Sequence, residues 1–128
     1  NAVIARTVSN QLRNEDVTRK MSQIAGIGGI FFFFSSTCPY CHLEGPILKR
    51  FEERYGIKVI AISLDGGGLP EYPNPIIDQG AGRALQIEST PTLFFGKPPK
   101  ELIRMANGFL SEKEIEDRLL SITEEKIK

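Results

Sequence analysis

Residues 29–41 read Gly-Ile-Phe-Phe-Phe-Phe-Ser-Ser-Thr-Cys-Pro-Tyr-Cys. The run from Ile30 to Phe34 is continuously apolar and does not alternate with polar residues, which predicts a central strand buried on both faces. Beyond Cys41, apolar residues recur every four positions, so the strand leads into a helix. Pro39 suits the first position of that helix, where its missing N–H costs nothing. Cys38 then lies at the positive end of the helix dipole, which favours a thiolate over a thiol.

The composition describes one small domain that carries no strong charge. The 128 residues suffice for a single core. The 16 basic and 16 acidic residues are interspersed, which argues against nucleic acid or an anionic membrane as a partner. The longest apolar stretch, residues 24–34, is interrupted by glycines and is too short to span a bilayer. Because the sequence begins at Asn1 rather than Met, we expect a processed or trimmed fragment whose upstream segment is not seen.

The two cysteines are the main chemical signal. Cys38 and Cys41 can form one disulfide, but it would close too small a loop to serve as a scaffold staple. A structural zinc site needs four ligands, and His42 is the only histidine, so we expect no metal. Two inert buried cysteines remain an alternative. Their place at a helix N-terminus after a strand favours a redox-active pair that needs no other cofactor.

The rest of the chain alternates helices and strands. Residues 5–25 have helical spacing, with a possible break at residues 14–16, and glycines end that helix. Pro46 is expected to kink the helix that follows Cys41. The strand before that helix and the next strand form a βαβ unit and should be parallel. The later elements are a strand at 57–64, a Gly- and Pro-rich loop at 65–75, a short helix at 79–87, a strand opened by Pro91, a hairpin strand at 101–106 and a helix begun by the capping box Ser111–Glu114.

This order of elements resembles the thioredoxin fold. The resemblance rests on Cys38–Cys41, on Pro46, on the proline in Thr90–Thr92, and on Gly108 before the last helix. It implies an α/β domain with a central mixed four-stranded sheet flanked by helices. The expected organisation is an N-terminal helical extension at 1–27, the thioredoxin-like domain at 28–123 and a fraying tail at 124–128.

Finer motifs narrow the resemblance. Phe-Phe-Phe, Cys-Pro-Tyr-Cys-His and Ser-Leu-Asp-Gly-Gly-Gly-Leu-Pro-Glu-Tyr-Pro-Asn are similar to the TraF family, thioredoxin-like proteins of F-type conjugative transfer systems. The family acts in pilus assembly in the bacterial periplasm, and some of its members have lost the cysteine pair. The resemblance implies a periplasmic location without a membrane span. It also implies client proteins with thiols or disulfides, a redox partner protein and conjugation-system proteins as partners.

The two cysteines have distinct predicted roles. Cys38, at the helix N-terminus, is the expected nucleophile, and Cys41, one turn deeper, is the expected resolving thiol. Pro39 and Tyr40 are expected to tune the pair because they fix which N–H groups point at the Cys38 sulfur. His42 is expected either to tune the site if it charges or to be exposed and passive.

Thr90 and Pro91 are the predicted substrate-binding residues. The resemblance implies that Pro91 is cis and that both residues lie opposite the disulfide. The Thr90 backbone would then pair with an extended client segment.

The pattern departs from thioredoxin beneath the cysteines. The buried aspartate of thioredoxin falls on Phe32, and the lysine that it pairs with falls on Ala61. Deprotonation of Cys41 must therefore use water or another acid. Glu44, one turn beyond Cys41, is a candidate proton relay, and a solvated surface glutamate is the alternative interpretation.

Three classes of function stay open from the sequence. The favoured class is a thiol–disulfide oxidoreductase, an oxidase or isomerase acting on secreted or pilus-assembly proteins. The second is a non-catalytic assembly subunit of a conjugative type IV secretion system that uses the thioredoxin surface for docking. The third is a glutaredoxin-like reductase, suggested by Cys-Pro-Tyr-Cys itself.

Overall fold

A computed structural model describes the backbone of residues 1–127 and the side chains of residues 1–124. Within these residues the chain forms one five-stranded mixed sheet with the strand order β3-β2-β1-β4-β5. The elements in chain order are α1 (Ala2–Ala25), β1 (Gly29–Phe34), α2 (Pro39–Tyr55), β2 (Val59–Ser63), β3 (Ile76–Ile77), α3 (Ala81–Ala84), β4 (Thr92–Lys97), β5 (Glu101–Asn107) and α4 (Glu112–Ile127).

Strand β1 is the centre of the sheet. It pairs in parallel with β2 and antiparallel with β4. Ile30, Phe32 and Phe34 point into the larger core cluster, which includes side chains of α1, α2 and α4. Phe33 points to the other face and packs in a second cluster with Phe94, whose ring centroid lies 5.7 Å away. The prediction of a strand covered on both faces is confirmed.

Helix α1 is continuous, so the possible break at residues 14–16 does not occur. Asp16 instead forms ion pairs with Arg19 and Lys20 of the same helix. Residues three and four positions apart are neighbours on the surface of a continuous helix. Only the C-terminal part of the helix is tied to the core, through the buried side chains Met21 and Ile24.

The sheet has one more strand than the four predicted. Strand β3 pairs in parallel with β2, with Ile62 opposite Ile76. The helix predicted at 79–87 is shorter in the structure, where α3 covers only Ala81–Ala84. Asp78 accepts a hydrogen bond from Gly82 N at the start of this helix. Two exposed isoleucines carry no strand periodicity, which explains why the pattern missed β3.

The remaining predicted elements are present. Strands β4 and β5 form the predicted antiparallel hairpin. Ser111 and Glu114 form the predicted capping box, with hydrogen bonds of 3.0 and 3.2 Å to each other's backbone N–H. Helix α2 continues through Pro46. The predicted fraying tail at 124–128 overlaps the end of α4, whose backbone is helical to Ile127, and the side chains of residues 125–128 lie outside the described range.

Candidate active site

The two cysteines lie where β1 ends and α2 begins. Cys38 is the N-cap of α2 and has an extended backbone, and Pro39 takes the first helical position. The Cys41 backbone N–H donates to the Cys38 sulfur over 3.2 Å. Both cysteines are free thiols; Cys38 is half-buried and Cys41 is buried. The helix N-terminus therefore presents one accessible sulfur and one concealed sulfur.

The environment separates the acidities of the two thiols. Burial opposes ionisation of Cys38, but hydrogen bonds from the Cys41 thiol and from the backbone N–H groups of Cys41 and Tyr40 outweigh it and lower its pKa. Burial raises the pKa of Cys41 to about 12, and its hydrogen bond to Cys38 adds to the increase. Cys38 is thus the thiol that ionises first, as a nucleophile requires.

Thr90 and Pro91 are brought to the cysteines, although they lie about fifty positions away in sequence. The Thr90–Pro91 peptide bond is cis, as the resemblance implied. The Cys38 thiol donates a hydrogen bond of 3.4 Å to the Thr90 carbonyl.

Tyr40 and His42 lie on the exposed side of the site. Tyr40 is 60% exposed, and its ring lies 6.2 Å from that of Phe109, so the two form an apolar surface beside Cys38. His42 is exposed, and its Nε2 lies 2.6 Å from the Ser36 carbonyl oxygen. Because a carbonyl only accepts, this ring nitrogen carries a proton.

Glu44 is not a surface residue, so the alternative interpretation of a solvated glutamate is wrong. Its side chain is fully buried. Its Oε1 accepts a hydrogen bond of 2.9 Å from Leu110 N, and its Oε2 has no partner among the described residues. Burial raises the pKa of Glu44 to about 7, although the Leu110 bond opposes the shift and the charge of Glu114 adds to it.

The wall beneath the site is apolar, as the sequence indicated. Phe32 pairs with Ala61 across β1 and β2. The ring of Tyr72, from the loop after β2, lies 6.1 Å from the Phe32 ring. The ionic pair of thioredoxin is thus replaced by packed apolar groups, and the buried carboxyl of Glu44 lies three residues after Cys41 in the chain.

Sequence reasoning missed Asp65. Its carboxylate accepts hydrogen bonds from the backbone N–H and the hydroxyl of Ser36, two residues before Cys38. The hydrogen bonds from Ser36 hold the pKa of Asp65 well below its usual range. One signal could have found this contact, since Asp65 and Ser36 each follow the carboxyl end of one of two adjacent parallel strands.

Within the described residues, no cluster of three or more His, Cys, Asp or Glu side chains could hold a metal ion. Over the same range, none of the helices combines the length and apolar character needed to cross a membrane.

Comparison with known proteins places this site in a family. The family model described as TraF, F plasmid transfer operon protein, matches residues 2–120. The chain is 27% identical to protein TraF of Escherichia coli K12 over 122 residues, which cover 93% of this chain and 49% of TraF. It is 29% identical to the thiol–disulfide oxidoreductase ResA of Oceanobacillus iheyensis over 119 residues, which cover 82% of this chain and 62% of ResA. The chain therefore spans about half to two thirds of these relatives.

Solved structures agree on the fold. The thiol:disulfide interchange protein assigned as DsbE from Chlorobium tepidum superposes with a TM-score of 0.61 at 19% identity. The match covers 78% of this chain and 82% of that protein. At this identity the likeness shows the thioredoxin fold alone.

Proposed function

The chain belongs to the TraF family, and from that premise we propose that it is a thiol–disulfide oxidoreductase of the oxidase or isomerase type. One observation carries the proposal. Cys38 caps α2 with a lowered pKa, Cys41 is concealed behind it with a raised pKa, and the cis Pro91 segment lies alongside. This asymmetry suits one attacking sulfur and one resolving sulfur.

As an oxidase, the protein starts with a Cys38–Cys41 disulfide. A client thiolate attacks the Cys38 sulfur, the Cys38–Cys41 bond breaks, and Cys41 leaves as a thiolate that takes up a proton. A second client thiolate then attacks the client sulfur of the mixed disulfide and expels Cys38 as a thiolate. The client is oxidised to a disulfide, and the pair is reduced to a dithiol. The lowered pKa of Cys38 makes it a good leaving group and favours the reduced form.

As an isomerase, the protein starts from the dithiol. The Cys38 thiolate attacks a mispaired client disulfide and releases one client thiolate, which can attack another client disulfide. If rearrangement stalls, Cys41 attacks the Cys38 sulfur and frees the client in reduced form. In each direction the dithiol itself carries the electrons, so the proposal includes no further cofactor.

Glu44 is the proposed proton relay for Cys41. A thiol with a pKa of about 12 must lose its proton to attack, and it must regain one after leaving. The carboxyl of Glu44 has a pKa of about 7 and one oxygen without a described partner, so it can hold or accept a proton near neutral pH.

Client binding is proposed at the cis-proline segment and the neighbouring aromatic surface. An extended client segment would exchange the Cys38–Thr90 hydrogen bond for a backbone pairing with Thr90. Tyr40 and Phe109 would contact apolar side chains beside the client cysteine. We also propose clients among secreted or conjugative pilus-assembly proteins, a redox partner that resets the pair, and a periplasmic location. The match to a family of the F plasmid transfer operon supports conjugation-system partners.

Oxidative refolding of a reduced model protein that contains several disulfides tests the proposal. We expect the protein to accelerate formation of the native disulfides, Cys38→Ser to be inactive, and Cys41→Ser to accumulate mixed disulfides with the client. The two single variants serve as controls for each other, since each removes one sulfur from the same helix turn. If Cys38→Ser keeps the wild-type rate, the cysteines are not catalytic and the docking-subunit function replaces this one. If the protein only reduces small mixed disulfides with glutathione, it is a glutaredoxin-like reductase instead.

A further inference from the structure

One face of the sheet is closed at only one of its two ends. At the closed end, Phe33 and Phe94 are 2% and 3% exposed. Leu85 and Ile87, from the segment that follows α3, pack on this cluster. The Arg104 guanidinium also lies 4.9 Å from the centre of the Phe94 ring. Side chains of the domain itself therefore cover the apolar groups at this end.

The other end of the same face is an open apolar groove of about 690 Å³. Its apolar lining consists of Ile27, Phe31, Ile60, Pro98, Pro99 and Leu102. Leu102 is 43% exposed although it lies on a strand of the sheet. A Cβ at Gly96 would lie 2.2 Å from the Phe31 ring, so this glycine lets the ring lie across β4. The groove is thus an apolar surface that the described part of the chain leaves uncovered.

Positive charge accompanies the apolar lining. Lys58, Lys97 and Lys100 line the same groove, together with the carboxylate of Glu101. None of the ion pairs between described residues includes any of the three lysines. Because the whole chain has 16 basic and 16 acidic residues, this excess of positive charge is local. We call the surface formed by the three lysines and the apolar lining the basic groove.

We propose that the basic groove binds an amphipathic helix of a partner protein, one that presents apolar side chains flanked by carboxylates. An apolar surface with polar residues around it is typical of an interaction site, and the lysines favour a partner of opposite charge. The inference goes beyond the proposed redox function and does not depend on it.

The geometry of the sheet favours a helix over an extended segment. The groove spans the neighbouring strands β2, β1, β4 and β5, which are about 14 Å apart in total, and a helix with its side chains is about 10 Å wide. The strands pair with one another through their backbone groups, so an extended segment lying on the face would find no backbone partners there. A helix satisfies its own backbone and needs only side-chain contacts.

The basic groove lies at the end of the sheet opposite the thiols. It includes Gly29, the first residue of β1, whereas Cys38 follows Phe34, the last residue of that strand. At the usual rise for each residue, the strand between them is about 17 Å long. A partner helix in the groove therefore leaves Cys38 accessible to a client.

The test begins by selecting a probe. A phage-displayed library of helical peptides with randomised surface positions is panned against the wild-type protein and counter-selected on Leu102→Asp. We expect the retained peptides to carry Leu, Ile or Phe at helical spacing with Asp or Glu beside them. Enrichment of basic peptides, or of none that distinguishes the two proteins, would overturn the inference.

The affinity of the most enriched peptide, measured by fluorescence anisotropy, then tests charge and location. Leu102→Asp should bind about tenfold more weakly or worse, because it sets a carboxylate against those of the peptide. Lys58→Glu combined with Lys100→Glu reverses two exposed charges and should weaken binding similarly at low salt, which keeps the test decisive if Leu102→Asp does not fold. Ile77→Asp, at a 48% exposed residue of β3, is the matched control and should bind as wild type does.

Three other outcomes would also overturn the inference. Protection of Cys38 from alkylation by the bound peptide would place the peptide at the thiols instead. A wild-type dimer that Leu102→Asp dissociates, seen by sedimentation, would make a second copy of this chain the occupant. Binding to phosphatidylglycerol vesicles without binding to any acidic peptide would make the surface a membrane contact. A protein that binds the peptide but exchanges no disulfides would refute the proposed function alone.

Discussion

Replacing Glu44 with glutamine should make the protein more stable at alkaline pH. The carboxyl is fully buried, with one oxygen bonded to Leu110 N and the other without a described partner. A glutamine side chain is a neutral group of the same shape, and its amide oxygen can still accept from Leu110 N. The Glu44→Gln change therefore removes the cost of burying a charge while it preserves the hydrogen bond.

The magnitude follows from the shift in pKa. Folding raises the pKa of Glu44 from its ordinary value of 4.5 to about 7. At about 1.4 kcal/mol for each pKa unit, this difference is worth about 3 kcal/mol. Between these two values the native protein holds a proton that the unfolded chain has released, so stability falls as pH rises. Below pH 4.5 the effect is absent, and above pH 7 it is complete.

The assay is urea unfolding followed by circular dichroism at pH 4, 6 and 8, with both cysteines reduced. Wild type and Glu44→Gln should have similar free energies of unfolding at pH 4, and the variant should be about 3 kcal/mol more stable at pH 8. Glu53→Gln, at an exposed position of the same helix, controls for the lost negative charge. A difference that does not grow with pH, or a variant less stable at pH 8, would refute the reasoning.

The Glu44→Gln variant also tests whether Glu44 relays a proton to and from Cys41. If Glu44 relays the Cys41 proton, turnover of Glu44→Gln should fall and lose the inflection near pH 7 that wild type is expected to show. An unchanged pH profile of turnover would remove Glu44 from the mechanism and leave the stability prediction intact.

Three further predictions concern the thiols, the core and the loop after β2. In alkylation followed by mass spectrometry, Cys38 should react at a lower pH than an ordinary thiol, whereas Cys41 should stay protected; equal rates would contradict the assigned asymmetry. Phe32→Ala should lower the free energy of unfolding by about 3–5 kcal/mol in urea titrations, because it empties the centre of the core, and a loss below about 1 kcal/mol would show that the site is not close-packed. Gly67→Ala should cost about 1–3 kcal/mol in the same assay, since its Cβ would meet the Ser36 hydroxyl, and a neutral result would mean that the loop yields easily.

The sequence predicted those elements of the fold whose formation depends on residues close together in the chain. The run Ile30–Phe34 indicated the central strand because it can be satisfied only by burial on both faces. Cys38 and Pro39 indicated the helix start because N-cap and first-turn preferences depend on nearest neighbours. Strand β3 was not predicted because its two residues are a strand only through their pairing with β2, and they carry no sequence pattern of their own.

The site was less predictable where contacts join distant residues. Glu44 is a charged residue of α2, and its buried carboxyl is bonded to Leu110 N, which lies between β5 and α4. Asp65 contacts Ser36 across 29 positions. Neither contact leaves a periodic signal, because each follows from strand order rather than from spacing along one element.

The reduction potential of the Cys38–Cys41 pair, measured by equilibration with glutathione buffers, tests the central claim most directly. The proposed oxidase or isomerase function predicts a single two-electron transition nearer to about −120 mV, typical of a strongly oxidising relative of thioredoxin, than to about −270 mV, typical of thioredoxin itself. A potential at about −270 mV or below would contradict the oxidase or isomerase function. Failure of the pair to form a disulfide at any buffer ratio would contradict redox catalysis altogether.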